Sequence, residues 1–420
     1  MVFITYSLAY FDRVNYGFGA AGGLARDLQL TPRDSSLLSS VFFLGYLLFQ
    51  VPGTAYAERK SVKTLIFGCT FVWGILASLT GIVGHLLPLL VIRFLLGVAE
   101  AAVMPALLVY LSHWFTRSER SRANTFLILG NPITVIWMSV VSGYLIRSLG
   151  WRWMFILEGL PALVWSVLWL MWADEKPAAA RWLAPQEQQR IQTALELEQA
   201  ELRPIRNYRA ALMSPRVLVL GLQYFCWSVG IYGFVLWLPS ILKQASSFGM
   251  VGTGWLSALP FLLAAPSMLV ASWLSDRSGN RKRFVWPCLL VSGLALCGSC
   301  ALGGGHFWSS YALLIVAAMG LYAPYGPFFA IVPELLPRNV AGGATALINS
   351  FGALGGFCGS YLVGYLNVLT GNPNASYLLM GGSLLAAATL VVLLPAPRAT
   401  AAQRQNDRGA GKVTDEQYGR

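Results

Sequence analysis

The segments AERKSVK (residues 57–63) and SDRSGNRKR (residues 275–283) are short charged turns, and each joins two long apolar stretches of the chain. Two more pairs of segments occupy corresponding positions after these turns. TRSERSRA (116–123) corresponds to PRNVAGGA (337–344), and SGYL (142–145) corresponds to VGYL (363–366). Because the spacing agrees at three landmarks, we interpret the sequence as an internal repeat of two similar halves.

The composition places these halves in a membrane. The chain has 420 residues, of which 56% are hydrophobic and 11% charged, and its mean hydropathy is +0.59. Soluble domains carry about 25% charged residues. The apolar stretches are each about 20 residues long, the length that a helix needs to cross a bilayer. We therefore predict an all-α integral membrane protein with about twelve spans, near residues 1–24, 35–57, 64–84, 86–112, 123–146, 153–172, 217–240, 254–274, 285–303, 309–333, 341–366 and 376–394.

One long polar stretch divides the spans into two groups of six. We predict an N-terminal half at 1–172, a cytoplasmic linker at 173–216, a C-terminal half at 217–394 and a cytoplasmic tail at 395–420. Within the linker, the stretch from Pro185 is typical of a short surface helix with proline in its first turn. Two repeated six-helix halves with a site between them at mid-depth are the plan of transporters that alternate access.

The net charge of +12 reflects topology. If residues 58–63 face the cytoplasm, 23 of the 30 Lys and Arg residues fall on that side and five on the other. The positive-inside rule then places both termini in the cytoplasm, which for a bacterial protein means the inner membrane. The basic residues lie in short turns beside the membrane, which argues against a nucleic-acid partner. Met1 opens directly into an apolar span without a basic flank, so we expect the natural start upstream.

No enzyme or metal chemistry is indicated. The six cysteines all fall within spans, and although Cys297 and Cys300 form a C-x-x-C, no second pair or nearby histidine completes a metal site. The sequence has no phosphate-binding glycine loop of the P-loop type and no catalytic triad. We expect a monomeric secondary transporter without a cofactor, with the lipid bilayer and a small transported molecule as its partners; the charges described next indicate a small anion and proton coupling.

The strongest pointers to a site are the charges inside the spans, all of which lie in the first half. They are Asp12, Arg13, Arg93, Glu100 and Glu158. Ionisable residues at bilayer depth are rare and usually functional. Arg93 and Glu100 lie seven residues apart, so they share a helix face, too far apart for a direct pair but able to line one cavity. Asp12 and Arg13 point about 100° apart on a helix and should have different partners.

These charges suggest a division of labour. The arginine fork stays protonated and can bind both oxygens of a carboxylate, so we predict that Arg13 or Arg93 binds the substrate anion. We predict that Asp12 and Glu100 couple to protons, since an anion that takes the arginine leaves a nearby acid without its counter-charge. The alternative is that these groups are buried ion pairs that only hold helices together, which is our preferred interpretation of Glu158.

Uncharged side chains within the spans complete the candidate site. Tyrosine offers a flat face and a hydroxyl, and the aromatic residues expected to border a central cavity are Tyr10, Tyr46, Tyr224, Trp227, Tyr232, Tyr325 and Phe329. Asn131 and Asn349 are amides at depth that correspond by the repeat. The second half, which lacks intramembrane charge, should therefore determine substrate specificity.

Two features suggest moving parts. In the charged turns, Asp276 and Arg277, with Glu58 and Arg59 in the first-half copy, could latch helices on the closed side, or could reflect topology alone. Pro324, Pro327 and Pro333 predict a broken or bent tenth span, and we regard that helix, with Pro327, as a candidate gate.

Several phrases together carry a family resemblance over essentially the whole chain. They are YFDRVNYGFGAA (10–21), IRFLLGVAEAAVMPA (92–106), HWFTRSERSRA (113–123), GWRWMFILEGLPA (150–162), YGFVLWLPSILK (232–243), YGPFFAIVPELLP (325–337) and ALINSFGALGGFCGSYLVGYL (346–366). The chain resembles major facilitator superfamily transporters of the anion:cation symporter family. Within that family it is most similar to bacterial sugar-acid carriers of the 2-ketogluconate type.

The resemblance implies a proton-coupled importer of a hexonate or ketohexonate with the major facilitator fold. It places Arg13 and Arg93 at substrate-binding positions and Asp12 and Glu100 at proton-linked ones, while Tyr10, Tyr46, Asn131, Tyr224 and Asn349 fall at positions that line the site in relatives. A carrier of another carboxylate, of the tartrate or phthalate type, and a proton-antiport exporter of drugs are the alternatives; a membrane enzyme or sensor is disfavoured.

Overall fold

The computed structural model describes residues 1–200, 213–302, 306–335 and 338–394, and the regular elements in these ranges are all helical. The longer helices are α1 (Val2–Gly19), α2 (Pro32–Arg59), α3 (Val62–Ile82), α4 (Leu86–Ala101), α5 (Val103–Trp114), α6 (Arg117–Trp172), α7 (Pro185–Ala200), α8 (Pro215–Ala245), α9 (Met250–Ser278), α10 (Trp286–Leu302), α11 (Phe307–Tyr322), α12 (Tyr325–Leu335), α13 (Arg338–Thr370) and α14 (Asn374–Leu393). Short helical turns lie at Ala20–Leu24, Ala25–Asp27, Pro177–Ala179 and Arg281–Phe284.

Ten helical stretches among the described residues are long and apolar enough to cross a membrane. One of them, Phe126–Trp172, has 47 residues. At 1.5 Å per residue it would extend about 70 Å, more than twice the hydrocarbon thickness, so it comprises two spans. Gly150 separates them with a φ of 83°, a value that residues with a side chain rarely adopt. With α1, which carries Asp12 and Arg13, the twelve predicted spans are accounted for.

Two other spans are interrupted near their middle. The fourth span divides at Ala102 into α4 and α5. The predicted break in the tenth span is confirmed, because α11 ends at Tyr322 and α12 begins at Tyr325, on either side of Pro324. Proline lacks the backbone N–H that a continuous helix would require. Both breaks lie where α5 and α12 supply side chains to the central cavity described below.

The two halves meet along α2 with α13 and along α6 with α9. Near the Pro32 end of α2, Ser39 Oγ donates to the carbonyl of Ser360 at 3.2 Å. At the second contact, between α6 and α9, a Cβ atom added to Gly254 would lie 2.4 Å from the carbonyl oxygen of Ser139. The backbones of these two helices therefore approach too closely for any side chain at Gly254. Small residues allow this approach between membrane helices. The halves are therefore in contact at the end where α2 and α9 begin.

Glu175 fastens the end of the first half to the start of α3. Its carboxylate accepts hydrogen bonds from Ser61 Oγ and from the backbone N–H groups of Val62 and Lys63, at 2.7 to 2.9 Å. Partial burial opposes ionisation, but the hydrogen bonds from Lys63, Ser61 and Val62 outweigh it and lower the pKa of Glu175. An acid at a helix N-terminus also complements the helix dipole.

Helix α7 confirms the predicted surface helix, with Pro185 in its first turn. The predicted domain boundaries remain predictions. Residues 201–212 of the predicted linker and the predicted tail at 395–420 lie outside the described residues.

Candidate functional site

A small cavity with a volume of about 50 Å³ lies between the two halves. Small-molecule sites usually span about 300–1,000 Å³, so this cavity is smaller than a typical ligand site in this conformation. Both halves contribute to the wall, through α1, α2, α5 and α6 on one side and α8, α12 and α13 on the other. The lining residues are Tyr6, Arg13, Phe43, Tyr46, Gln50, Met104, Ile128, Asn131, Tyr224, Tyr232, Tyr325, Phe329, Asn349, Gly352 and Ala353.

Arg13 is the only charged side chain among the described residues of this wall. Its Nη2 donates to Glu100 Oε2 at 3.2 Å, and its Nη1 donates to the hydroxyl of Tyr232 at 3.2 Å. Its Cζ lies 4.8 Å from the ring centroid of Tyr46, within cation–π range. Arg13 Nε is buried and has no hydrogen-bond partner in the described chain. Arg13 thus joins an acid of the first half to a tyrosine of the second.

Asp12 points away from the cavity, as its position next to Arg13 on a helix predicts. Its Oδ1 accepts a hydrogen bond from Asn15 Nδ2 at 3.2 Å. It also interacts with the side chain of Glu100 and with the charge of Arg93. Asp12 and Arg13 therefore contact different residues, Asn15 and Tyr232, but they share Glu100 as a partner.

Arg93 does not line the cavity. Its Nε donates to the carbonyl of Leu38 at 3.4 Å, and its Cζ lies 4.9 Å from the ring centroid of Tyr16. The residue is 2% exposed. The expectation that Arg93 and Glu100 line one cavity is wrong for this conformation, because the guanidinium is enclosed between α1 and α2. Glu100 pairs with Arg13 instead, and it too lies behind the cavity wall.

The structure brings six of the eight predicted substrate-binding residues to the wall: Arg13, Tyr46, Asn131, Tyr224, Tyr232 and Asn349. Tyr10 and Arg93 are the exceptions. Tyr10 is 1% exposed, and its hydroxyl lies 3.0 Å from that of Tyr322. This contact joins α1 to α11, so Tyr10 lies at the interface of the halves rather than at the cavity surface.

Hydroxyl, amide and ring groups surround Arg13 in the cavity wall. Asn131 and Asn349 lie on different halves, as the repeat predicts, and Asn131 Oδ1 is buried without a hydrogen-bond partner in the described chain. The ring of Tyr224 stacks on Phe328 with centroids 5.4 Å apart. The cavity can therefore neutralise one negative charge and offer hydrogen bonds around it.

The sequence as a whole matches a known family. Residues 2–360 and 245–416 match the profile of the Major Facilitator Superfamily. The chain belongs to the major facilitator superfamily. The all-helical fold of two six-helix halves agrees with this assignment, and the protein is a multi-pass membrane transporter, not an enzyme.

Relatives cover most of the chain. A putative tartrate transporter of Agrobacterium vitis is 31% identical over 94% of this chain and 88% of its own length. A quinolone resistance transporter of Acinetobacter baumannii is 30% identical over 89% of this chain and 87% of its own length. The crystal structure of a bacterial homologue of the human lysosomal transporter Spinster, inward-facing and unoccupied, superposes with a TM-score of 0.71 at 16% identity, covering 94% of both chains. This last similarity supports the major facilitator fold alone.

Sequence reasoning missed two amides of this major facilitator protein. Gln50 on α2 lines the cavity, and its Oε1 accepts a hydrogen bond from Ser350 Oγ across the halves at 3.3 Å. Asn15 on α1 is fully buried and bonds Asp12. The signal was present, because both are uncharged amides at depth, the criterion that selected Asn131 and Asn349.

The predicted gating residues have separate surroundings. Asp276 forms an ion pair with Arg281 in the same turn, and Arg277 Cζ lies 5.6 Å from the ring centroid of Trp273. Arg59 is exposed, and Pro327 is buried in α12 just after the break. The side chain of Glu58 lies outside the described residues. Their gating roles stay predictions.

Proposed function

We propose that this protein is a proton-coupled symporter that imports a small hydroxylated carboxylate. The observation that carries the proposal is the position of Arg13, a buried cation that is the one charged side chain among the described residues of the cavity wall between two repeated halves. A hexonate or 2-ketogluconate is our first choice of substrate. Tartrate, the substrate named for a relative, and a phthalate-type carboxylate are the alternatives.

Recognition follows from the donors and acceptors of the cavity. A guanidinium binds a carboxylate through two parallel N–H groups. The unpartnered Asn131 Oδ1 can accept a hydrogen bond from a substrate hydroxyl, and the Asn349 amide offers the same groups on the other half. The tyrosines of the wall add hydroxyls and ring faces that suit the two sides of a sugar-like chain. These groups fit a polyhydroxylated monoanion better than a purely apolar compound.

Coupling follows from competition for Arg13. When a substrate carboxylate engages the guanidinium, the ion pair between Arg13 and Glu100 weakens. A buried carboxylate without its partner is strongly destabilised, so Glu100 is neutralised by a proton. Anion and proton therefore bind cooperatively, and by linkage the proton also favours the anion. We place Asp12 in the same proton-binding set, because it interacts with Glu100.

Membrane placement belongs to this proposal as well. The distribution of Lys and Arg favours a bacterial inner membrane with both termini in the cytoplasm. We also propose that the protein acts as a monomer, with the two halves of one chain supplying the two sides of the cavity.

Uptake by purified protein in liposomes tests the proposal. Labelled gluconate, 2-ketogluconate, galactonate, tartrate and phthalate are offered with and without an inward proton gradient. We expect gradient-driven accumulation of at least one hydroxylated acid, and counterflow of the same acid without a gradient. If none of these anions accumulated in response to the gradient, the symporter proposal would fail.

Export of a drug is the second candidate, favoured by the 30% identity to a quinolone resistance transporter. Proton antiport would make a quinolone move opposite to the proton gradient. The same liposomes, loaded with a fluorescent quinolone, separate the two candidates. Gradient-driven movement of the quinolone without any anion uptake would favour the exporter.

A further inference from the structure

Glu158 is a buried acid that the proposed coupling mechanism does not use. It lies in the part of α6 that follows Gly150, and it is 6% exposed. Ser142 Oγ, on the part of α6 before Gly150, donates to Glu158 Oε1 at 2.6 Å. Glu158 Oε2 is buried without a hydrogen-bond partner in the described chain. The ion pairs found among the described residues do not include Glu158.

These surroundings favour a neutral acid. An ionised carboxylate in an apolar interior is strongly destabilised unless a cation pairs with it. The charged group that faces Glu158 is Asp12 on α1, which carries the same sign. The Ser142 hydroxyl contacts Glu158 from the part of α6 before Gly150, and Ser78 on α3 packs against the neighbouring Gly159. A proton on Glu158 therefore relieves repulsion as well as desolvation.

Asn15 lies between the two acids. Its Nδ2 donates to Asp12 Oδ1 at 3.2 Å, and its side chain also interacts with Glu158. Asn15 Oδ1 is buried without a partner in the described chain, as is Glu158 Oε2. An amide carries two N–H donors on one side and an acceptor oxygen on the other. The Asn15 amide can therefore accept a hydrogen bond from a protonated acid through its oxygen and donate one to an ionised acid through its nitrogen.

We propose that Glu158 is a third proton-binding carboxyl of the transport cycle, linked to Asp12 through Asn15. This inference rests on the proposed proton coupling. With the proton on Glu158, the Asn15 amide presents its N–H to an ionised Asp12, as in the observed hydrogen bond. When Asp12 takes up a proton from one side of the membrane, rotation of the amide presents N–H to Glu158, which then releases its proton to water on the other side. The two acids alternate because the amide nitrogen favours the ionised acid while the amide oxygen accepts a hydrogen bond from the protonated one.

A count of buried charge supports a third site. Among the described residues, Asp12, Glu100 and Glu158 are accompanied by two buried arginines, Arg13 and Arg93. One proton therefore makes this set neutral in the empty protein. Arg93 and Arg13 act on Asp12 and Glu100, whereas none of the described ion pairs includes Glu158, so that proton resides on Glu158 until Asp12 is protonated and Glu158 releases it.

Glu158→Gln tests this assignment, because glutamine keeps the shape and mimics the protonated acid. At zero membrane potential, each coupled proton multiplies the accumulation ratio about tenfold for a gradient of about one pH unit. We expect E158Q to retain counterflow of the substrate while its gradient-driven accumulation falls by about one such factor. The pH dependence of uptake should flatten in parallel. Ser139→Ala is the matched control, since this buried serine one turn before Ser142 donates only to its own helix, at Val135.

A second variant keeps the proposal testable if E158Q does not fold. Asn15→Ser removes the amide link and leaves both acids in place, and we expect the same loss of accumulation with counterflow retained. Wild-type accumulation and pH dependence in E158Q, or in Asn15→Ser if E158Q does not reconstitute, would overturn the third site and leave the symporter intact. If the wild-type protein itself ignored the gradient, the proposed function would fail, and this inference with it.

Discussion

Arg13 Nη2 and Glu100 Oε2 lie 3.2 Å apart in an ion pair whose carboxylate is fully enclosed. Breaking a buried pair from one side costs about 3–5 kcal/mol, because the remaining charge is left in an apolar medium. An anion that occupies Arg13 avoids this cost only if Glu100 takes up a proton. The pair therefore connects the cavity, where the substrate would bind, to a group that can hold the coupling ion.

Neutralising Glu100 should separate proton coupling from substrate translocation. In Glu100→Gln the residue can no longer alternate between charged and neutral forms, so we expect gradient-driven accumulation to fall at least about tenfold while counterflow continues. Uptake into liposomes with and without a pH gradient measures this. Glu187→Gln on the exposed face of α7 is the control. Unchanged accumulation in E100Q would contradict the role assigned to Glu100.

The two buried arginines should differ in their effect on substrate affinity. Lysine cannot supply the paired N–H groups of arginine, and a hydrogen bond to a charged group is worth about 1.5–3 kcal/mol, so Arg13→Lys should weaken binding about 10- to 100-fold. Arg93→Lys should have a smaller effect, because Arg93 lies behind the wall. The KM of counterflow is the measurement. A larger effect for R93K would mean that Arg93 holds the anion.

Changes in the second half should alter selectivity more than coupling. In Asn349→Ala we expect the KM ratio of two sugar acids to shift about 2- to 10-fold, the value of one neutral hydrogen bond. The number of protons per substrate should stay the same, because the titratable set lies on the other half. Reversal-potential measurements give that number, and a changed value would contradict this division between halves.

The contact between halves at Gly254 should be sensitive to size. In Gly254→Val the new side chain meets the carbonyl of Ser139, and overpacking of this kind typically costs about 1–3 kcal/mol. We expect less of the conformation in which Ser39 meets Ser360. Cysteines are placed at positions 39 and 360 in a background without the native cysteines. The yield of cross-linking by a short thiol reagent then measures the population of this conformation. Gly249→Val is the control, since a Cβ there meets open space.

The contribution of Glu175 to the stability of the folded protein should depend on pH. Its pKa is lowered in the folded protein, so its contribution is present above the unfolded pKa and is lost as the pH falls through the folded value. The difference in melting temperature between wild type and Glu175→Gln should be largest near neutral pH and should shrink in acid. A difference that grew as the pH fell would show that the hydrogen bonds to α3 do not favour the ionised form.

Local patterns in the sequence determined the architecture. Apolar stretches of membrane length, the repeated turns and the prolines around Pro324 predicted the spans, the two halves and the broken tenth span, because bilayer thickness and backbone hydrogen bonding act on each segment independently. The same patterns selected six residues that reach the cavity wall, since polar groups at depth seldom face lipid.

Only the tertiary structure decided which of these groups meet. Sequence spacing placed Arg93 with Glu100 on one helix face, whereas the fold pairs Glu100 with Arg13 from α1 and encloses Arg93 beneath α2. It also brought Asn15 between Asp12 and Glu158, an acid that the sequence assigned to packing. Such pairings depend on how helices far apart in the chain rotate and approach one another, and no local period of the sequence records that rotation.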